Sequence, residues 1–350
     1  MTHVKVFDGH QDILSKLAAL GGVETAELFL QQTDFHMDRS KCQQGRWCGG
    51  FFALWVSSPD TGDDINQMMS ADTYDIPLPA PLDENYALRS VMRQVAILFR
   101  LRSMGVLEVC TSSAQLKSVF GTDKLAAIVH LEGAEAIDSD FHALELLYAA
   151  GLRSLGPVWS RPTKFAHGVP FRFPSTPDIG DGLTPLGEEL IRQCNRKRIL
   201  IDLSHINSAG FFDVARISKS PLVATHSNAY GLCPHARNLT DEQLEAIRAS
   251  GGMVGLNFAC AFLRKDGKMN TDTNVERLLR HLDYLLEKLG EEGVGIGSDF
   301  DGAGVPDAIG SAAGLPVLVD AMLAHGFGQA LVSKICHENW LSVVERTWQN

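Results

Sequence analysis

Val4-Lys5-Val6-Phe7-Asp8-Gly9-His10-Gln11-Asp12 reads as a short strand, apolar at Val4 and Val6, that runs into a polar cluster. With the backbone extended through His10 and Asp12, a spacing of two puts both side chains on one face. An imidazole beside a carboxylate at a strand end makes two arms of a metal clamp. His-x-Asp is also a common surface tripeptide. The metal reading therefore depends on further ligands arriving at the same place.

Seven more apolar runs follow, at 51–56, 125–132, 153–159, 199–205, 222–226, 253–258 and 294–299. Between them lie segments with helical spacing: 14–30, 84–104, 141–150, 208–217 and 274–289. Two more helices carry start signals. Thr184 followed by Pro185 caps one that runs to Asn195, and Thr240 opens another that runs to Ala249. Closing helices are expected at 315–324 and 328–347, and 42–47 reads as loop. Alternating β and α elements imply a parallel sheet. Eight such units predict an α/β chain folded as a closed (β/α)8 TIM-type barrel, one domain over 1–350. An open doubly wound sheet is the alternative, but no GxGxxG follows the first strand, so dinucleotide binding is unsupported. Two long polar insertions, 57–81 and 160–182, interrupt the pattern. Loops of that length are usually functional or mobile, and a lid or a subunit contact are both open for the first.

The composition, 45% hydrophobic and 21% charged over 350 residues, is that of an ordinary globular protein with a core large enough to need no disulfides. A net charge of -11 argues against nucleic acid and anionic membranes as partners. The seven cysteines are scattered and form no CxxC pair, which predicts reduced thiols and a cytoplasmic location. No basic-then-apolar leader opens the sequence, and no run of 18 apolar residues would span a membrane.

Metal-capable residues sit at the C-terminal ends of the runs: His10 and Asp12 on the first, Glu132 on the third, His205 on the fifth, His226 on the sixth and Asp299 on the eighth. In a (β/α)8 barrel these ends meet at one mouth. A single strand-end histidine is unremarkable, but six such residues at one position of the repeat point to a metal centre. His130, His235, His281, His325 and His337 read as structural or exposed, and Asp202 and Asp301 as groups that orient ligands or cap turns.

The segments Asp8–Asp12, His130-Leu131-Glu132-Gly133, Asp202-Leu203-Ser204-His205, Thr225-His226-Ser227-Asn228, Arg237-Asn238-Leu239 and Gly297-Ser298-Asp299-Phe300-Asp301-Gly302 resemble, in order, the membrane (renal) dipeptidase family, peptidase family M19 of the amidohydrolase superfamily. The resemblance implies two Zn2+ per chain. His10 and Asp12 would hold one, His205 and His226 the other, and Glu132 would bridge both. A bridging carboxylate holds two cations close together, and a hydroxide formed between them would attack the amide carbonyl. Asp299 would move the proton from that water to the leaving amine. Arg237 would clamp the substrate's C-terminal carboxylate, as a planar guanidinium suits. The implied substrate is a small dipeptide, L-Xaa-D-Xaa or L-Xaa-Gly, and the implied assembly a homodimer.

The sequence departs from the family at one place. Where relatives of the renal enzyme carry a substrate-binding His after the fourth strand, this chain has Trp159, whose indole N–H can donate only one hydrogen bond. His167 in the following insertion could substitute. Arg161, Lys164 and Arg172 there would either read an acidic substrate side chain or form a solvated rim. Trp159 gives standing to a rival, another hydrolase of the superfamily such as an N-acyl amino acid deacylase or a lactonase. A non-catalytic metal-binding protein is the rival from a different class, and retention of Asp299 beside a full ligand set argues against it.

Overall fold

The computed structural model describes residues 4–59 and 64–349. Part of the first insertion, residues 60–63, lies outside the described residues, as do the first three of the chain. Eight parallel strands form the centre: β1 (Val6–Gln11), β2 (Trp47–Trp55), β3 (Leu125–Glu132), β4 (Leu152–Gly156), β5 (Leu200–Ile201), β6 (Val223–Ser227), β7 (Met253–Leu256) and β8 (Val294–Ile296). Each pairs with its sequence neighbour, and β8 pairs with β1. The ring closes between β5 and β6 through a single parallel bridge, Asp202 to Val223. The strands read as unbroken apolar runs because helices cover the sheet from outside while side chains fill the inside. The 20-residue helix Glu84–Ser103, the 15-residue helix Val275–Leu289 and the rest of the outer layer pack on one continuous core.

The caps act as their sequences predict. Thr184 accepts from the Gly187 N–H ahead of Pro185–Lys197, and Thr240 and Gln243 form a reciprocal capping box. Some local expectations need correction. Residues 42–47 are not loop: a helix, Arg39–Gln44, capped by Asp38, runs almost directly into β2. The segment 14–30 divides at Gly21 and Gly22 into a helix and a 3-10 stretch. The two insertions meet, since Tyr74–Asp75 pairs antiparallel with Arg172–Phe173.

Inside the barrel, one end is plugged and the other is open. Phe7, Phe51, Ile128, Leu200, Val223 and Met253 line the N-terminal half, and Trp340, Val343 and Trp348 of the last helix, Asn339–Gln349, join them. The Trp340 indole donates to the Ile296 carbonyl (2.8 Å) and lies so close to Gly9 that a Cβ there would come within 2.4 Å of it. Trp340→Ala should therefore cost about 3–5 kcal/mol. Chemical denaturation would measure it, and a cost under about 1 kcal/mol, the range of a surface change, would contradict the plug.

Candidate metal centre

At the open end the polar strand termini converge. On β1, Phe7 and Gly9 face the interior, and simple alternation would send His10 outward. Three steps along β1, Asp8 to Gln11, match two along β2, Gly50 to Phe52. That one extra residue is a bulge, and it re-aims His10 and Asp12 into the mouth. The backbone is held by unusual local geometry elsewhere too. His205, Asp299 and Asp301 all have left-handed backbone, with φ of 67°, 61° and 68°. Such conformations cost energy in non-glycine residues and cluster at functional sites.

The carboxylate of Glu132 is the hub. Its Oε2 lies 3.5 Å from His10 Nε2, and its Oε1 lies 3.1 Å from His205 Nε2 and 3.5 Å from His226 Nε2. His10 Nε2 also lies 3.3 Å from Asp12 Oδ2. Asp299 joins His10 and Asp12 in a second cluster. Gly302 makes room for this: a Cβ there would fall 2.3 Å from both Asp12 Oδ2 and Asp299 Oδ1.

The chemistry of these atoms fits cations. Both ring nitrogens of the fully buried His10 lack a hydrogen-bond partner. His205 and His226 aim Nε2 at one another across 3.1 Å. Their far nitrogens are fixed, His205 Nδ1 by the Ser160 hydroxyl (2.9 Å) and His226 Nδ1 by Thr225 Oγ1 (2.8 Å). Burial, followed by the positive charge of Arg237 and His10 nearby, holds both imidazoles well below their ordinary pKa, so both are neutral and could offer a lone pair to a cation. Burial pushes Glu132 up to about 7 and raises Asp299 as well. Burial opposes a charge on His10, but the Glu132 and Asp12 carboxylates outweigh it and raise its pKa. Asp12, Glu132 and Asp299 thus crowd out of water beside the positive charge of His10 and Arg237, and a bound cation would relieve their burial.

Beneath the centre a second layer orients it. Asp202 accepts from Thr225 N–H (2.8 Å) and Thr225 Oγ1 (2.7 Å), and His130 Nδ1 bonds Ser154 Oγ (2.9 Å). Asp301 accepts from the His36 and Met37 amides (2.7 and 3.1 Å), the turn role expected of it. Asn257, just beyond β7, escaped the sequence reading. Its amide donates to Asp299 Oδ2 (3.0 Å) and so orients that carboxylate. Its position at the end of the seventh run was the available signal.

A pocket of 260 Å³ opens over Asp12, Glu132, His205 and Asp299, walled by Trp55, Trp159, Phe171, Phe262 and Met269. Trp159 stands edge-on to Trp55, 5.3 Å between centroids. Arg237 is buried at the β6 side, 5.4 Å above the Phe262 ring, with Nη2 on the His226 carbonyl (3.1 Å) and Nε unpartnered. His167 is half-buried and is not among the lining residues. A bridge between Gly168 and Ile206 turns its loop down onto the segment after β5. Of the three basic residues in that insertion none forms a free rim. Arg161 is fully buried against Glu135 (2.7 Å), Arg172 pairs with Asp75 (2.6 Å), and Lys164 pairs with Glu84.

A parallel barrel with a His- and carboxylate-built cluster that could hold metal at its C-terminal mouth is the architecture of a metal-dependent hydrolase. The chain belongs to the membrane dipeptidase family (peptidase family M19), whose sequence profile matches residues 1–350, and it is a metallo-dipeptidase. A metallopeptidase from Rhodobacter sphaeroides, solved with a phosphinate mimic of the dipeptide L-Ala-D-Ala, is 48% identical with a TM-score of 0.95 and 99% of each chain covered. The solved metallopeptidase called dipeptidase AC is 47% identical with a TM-score of 0.95 and 100% of each chain covered. An uncharacterized protein in the pqqA 5' region of Klebsiella pneumoniae is 47% identical over 73% of this chain and 96% of its own length.

Proposed function

We propose that this dipeptidase hydrolyses the single amide of small dipeptides with a D-residue or glycine at the C-terminal position, using two zinc ions. The observation that carries the reading is the split of Glu132, one oxygen toward His10 and the other toward His205 and His226. His10 and Asp12 would hold one ion, His205 and His226 the other, with Glu132 between. Bound there, the metals would supply Lewis acidity, lowering the pKa of a water and drawing charge from the carbonyl oxygen.

The protein's own groups do the rest. Asp299, raised by burial and held by Asn257, takes the proton of the attacking water and delivers it to the leaving amine. Arg237 has donors to spare for a carboxylate, and burial holds its pKa at about 10, so it stays cationic at neutral pH. The aromatic walls exclude water and leave room for a short substrate. A dipeptide mimic of L-Ala-D-Ala in a relative 48% identical supports the substrate class. All seven cysteines are free thiols, which supports a reducing, cytoplasmic setting. A homodimer is the expected assembly, which light scattering would test.

Hydrolysis of a dipeptide panel by the zinc-loaded protein tests the function. Free L-Xaa-D-Xaa and L-Xaa-Gly should be cleaved, and C-amidation should cost most of kcat/KM. Arg237→Met should lose about 2–5 kcal/mol of transition-state binding for free dipeptides and treat acid and amide alike. Cleavage of N-acylated amino acids in place of free dipeptides would move the function to a deacylase.

A further inference from the structure

Beside the catalytic pocket lies a second cavity of 530 Å³. It shares Ser15, Lys16 and Trp55 with the pocket, so the two adjoin through one wall. Its floor is the groove between the first helix, Ile13–Leu20, and the helix Glu84–Ser103. Arg89 and Arg93, four residues apart, project from one face of the longer helix, and Lys16 faces them from the shorter. No acidic side chain among the described residues lines the cavity. Elsewhere on the same helix the cations are neutralised: Arg100 pairs with Glu27 and Arg102 with Glu108. Among the described residues Arg93 makes only a long contact, to the Ala18 carbonyl (3.5 Å). Among the described residues Arg89 and Arg93 have no carboxylate partner, and with Lys16, which also lies near Asp301 on the pocket side, they make a cationic lining that is unexpected in a chain of net charge -11.

The wall between the two spaces is fixed. Gln94 clamps the end of β2, accepting from Trp55 N–H (3.1 Å) and donating to the Trp55 carbonyl (2.6 Å). The cavity thus opens off the β1–β2 side of the barrel mouth. Arg237 follows β6, which lies four strands from β2 in the ring of eight. A dipeptide that crossed the mouth with its C-terminal carboxylate on Arg237 would point its amino-terminal residue toward the β1–β2 side, where the cavity opens.

We infer that this cavity is a specificity subsite for an anionic side chain, a carboxylate carried by the amino-terminal residue of the substrate. The inference rests on the dipeptidase reading and on the Arg237 orientation. Its ligand class follows from the lining: cations with hydroxyl and amide neighbours, and no acid among the described residues that line it. The cations are solvent-exposed, so the attraction is screened by salt.

The test compares isosteric pairs on the zinc-loaded protein, L-Glu-D-Ala against L-Gln-D-Ala and L-Asp-D-Ala against L-Asn-D-Ala. The acid should win by about tenfold in kcat/KM at low salt, the scale of a charge-assisted contact at a partly screened site, and the ratio should shrink at high salt. Arg89→Ser with Arg93→Ser should remove the ratio and leave the glutamine and asparagine substrates at wild-type rates. Arg89→Lys with Arg93→Lys should keep it. Equal rates within each pair, a ratio that survives the double serine variant, or a preference that follows an acid at the carboxy-terminal position instead would overturn the inference. If no dipeptide is cleaved at all, the dipeptidase reading fails separately. Calorimetric binding of the same pairs then decides the subsite, with tighter binding of the acid supporting it and equal binding overturning it.

Discussion

Asp299→Asn is expected to lower kcat by about a hundred- to ten-thousand-fold, the range for loss of a positioned proton carrier, with the metal content unchanged. The carboxamide matches the carboxylate in size and fits the space that Gly302 leaves beside it. It cannot take a proton at neutral pH. Asn257 would still face the side chain through an amide, so position changes little while basicity is lost. Stopped assays with metal analysis of the same sample would measure it. A fall in metal content would assign Asp299 to metal holding, and unchanged turnover would remove it from the chemistry.

Glu132→Gln is expected to have the larger effect, with turnover falling to background and at least one metal per chain lost. Glutamine offers one acceptor oxygen and an NH2 group that cannot face a cation. Because each Glu132 oxygen faces a different histidine set, the substitution damages both halves of the centre. Chelation of the wild-type protein should act in the same direction on stability. A metal present at a hundred times its Kd stabilises the fold by about 2.7 kcal/mol, and its removal leaves Asp12, Glu132 and Asp299 crowded together with only His10 and Arg237 as nearby positive charge. A clear drop in Tm on chelation, reversed by zinc, is the expected result. A glutamine variant that retains its metals and rate would show that the bridge is not needed.

Much of this was legible in the sequence because the barrel repeats one pattern. Strands buried on both sides become apolar runs, and the repeat made six polar residues at equivalent ends visible as a group. All six sit at the mouth. The missing parts depend on contacts that sequence spacing does not carry. The bulge in β1 appears only in its register against β2 and has no residue signature, although it helps to turn His10 inward. Arg161 reads as a free loop cation until the fold brings Glu135, 26 positions away, within 2.7 Å. The strand Leu107–Val109 and the helix Ser113–Phe120 are short and partly polar, and they hold by docking on β3 and the final helix. His167 lies near Trp159 in sequence, but the Gly168 bridge draws its loop onto the segment after β5, and it does not line the pocket.

The most direct measurement is a zinc titration of metal-free protein, with bound metal and hydrolysis of L-Ala-D-Ala followed in the same samples. Two equivalents per chain should bind, and activity should saturate only at the second. Full activity at one equivalent, or two equivalents bound without hydrolysis, would contradict a two-metal dipeptidase built around Glu132.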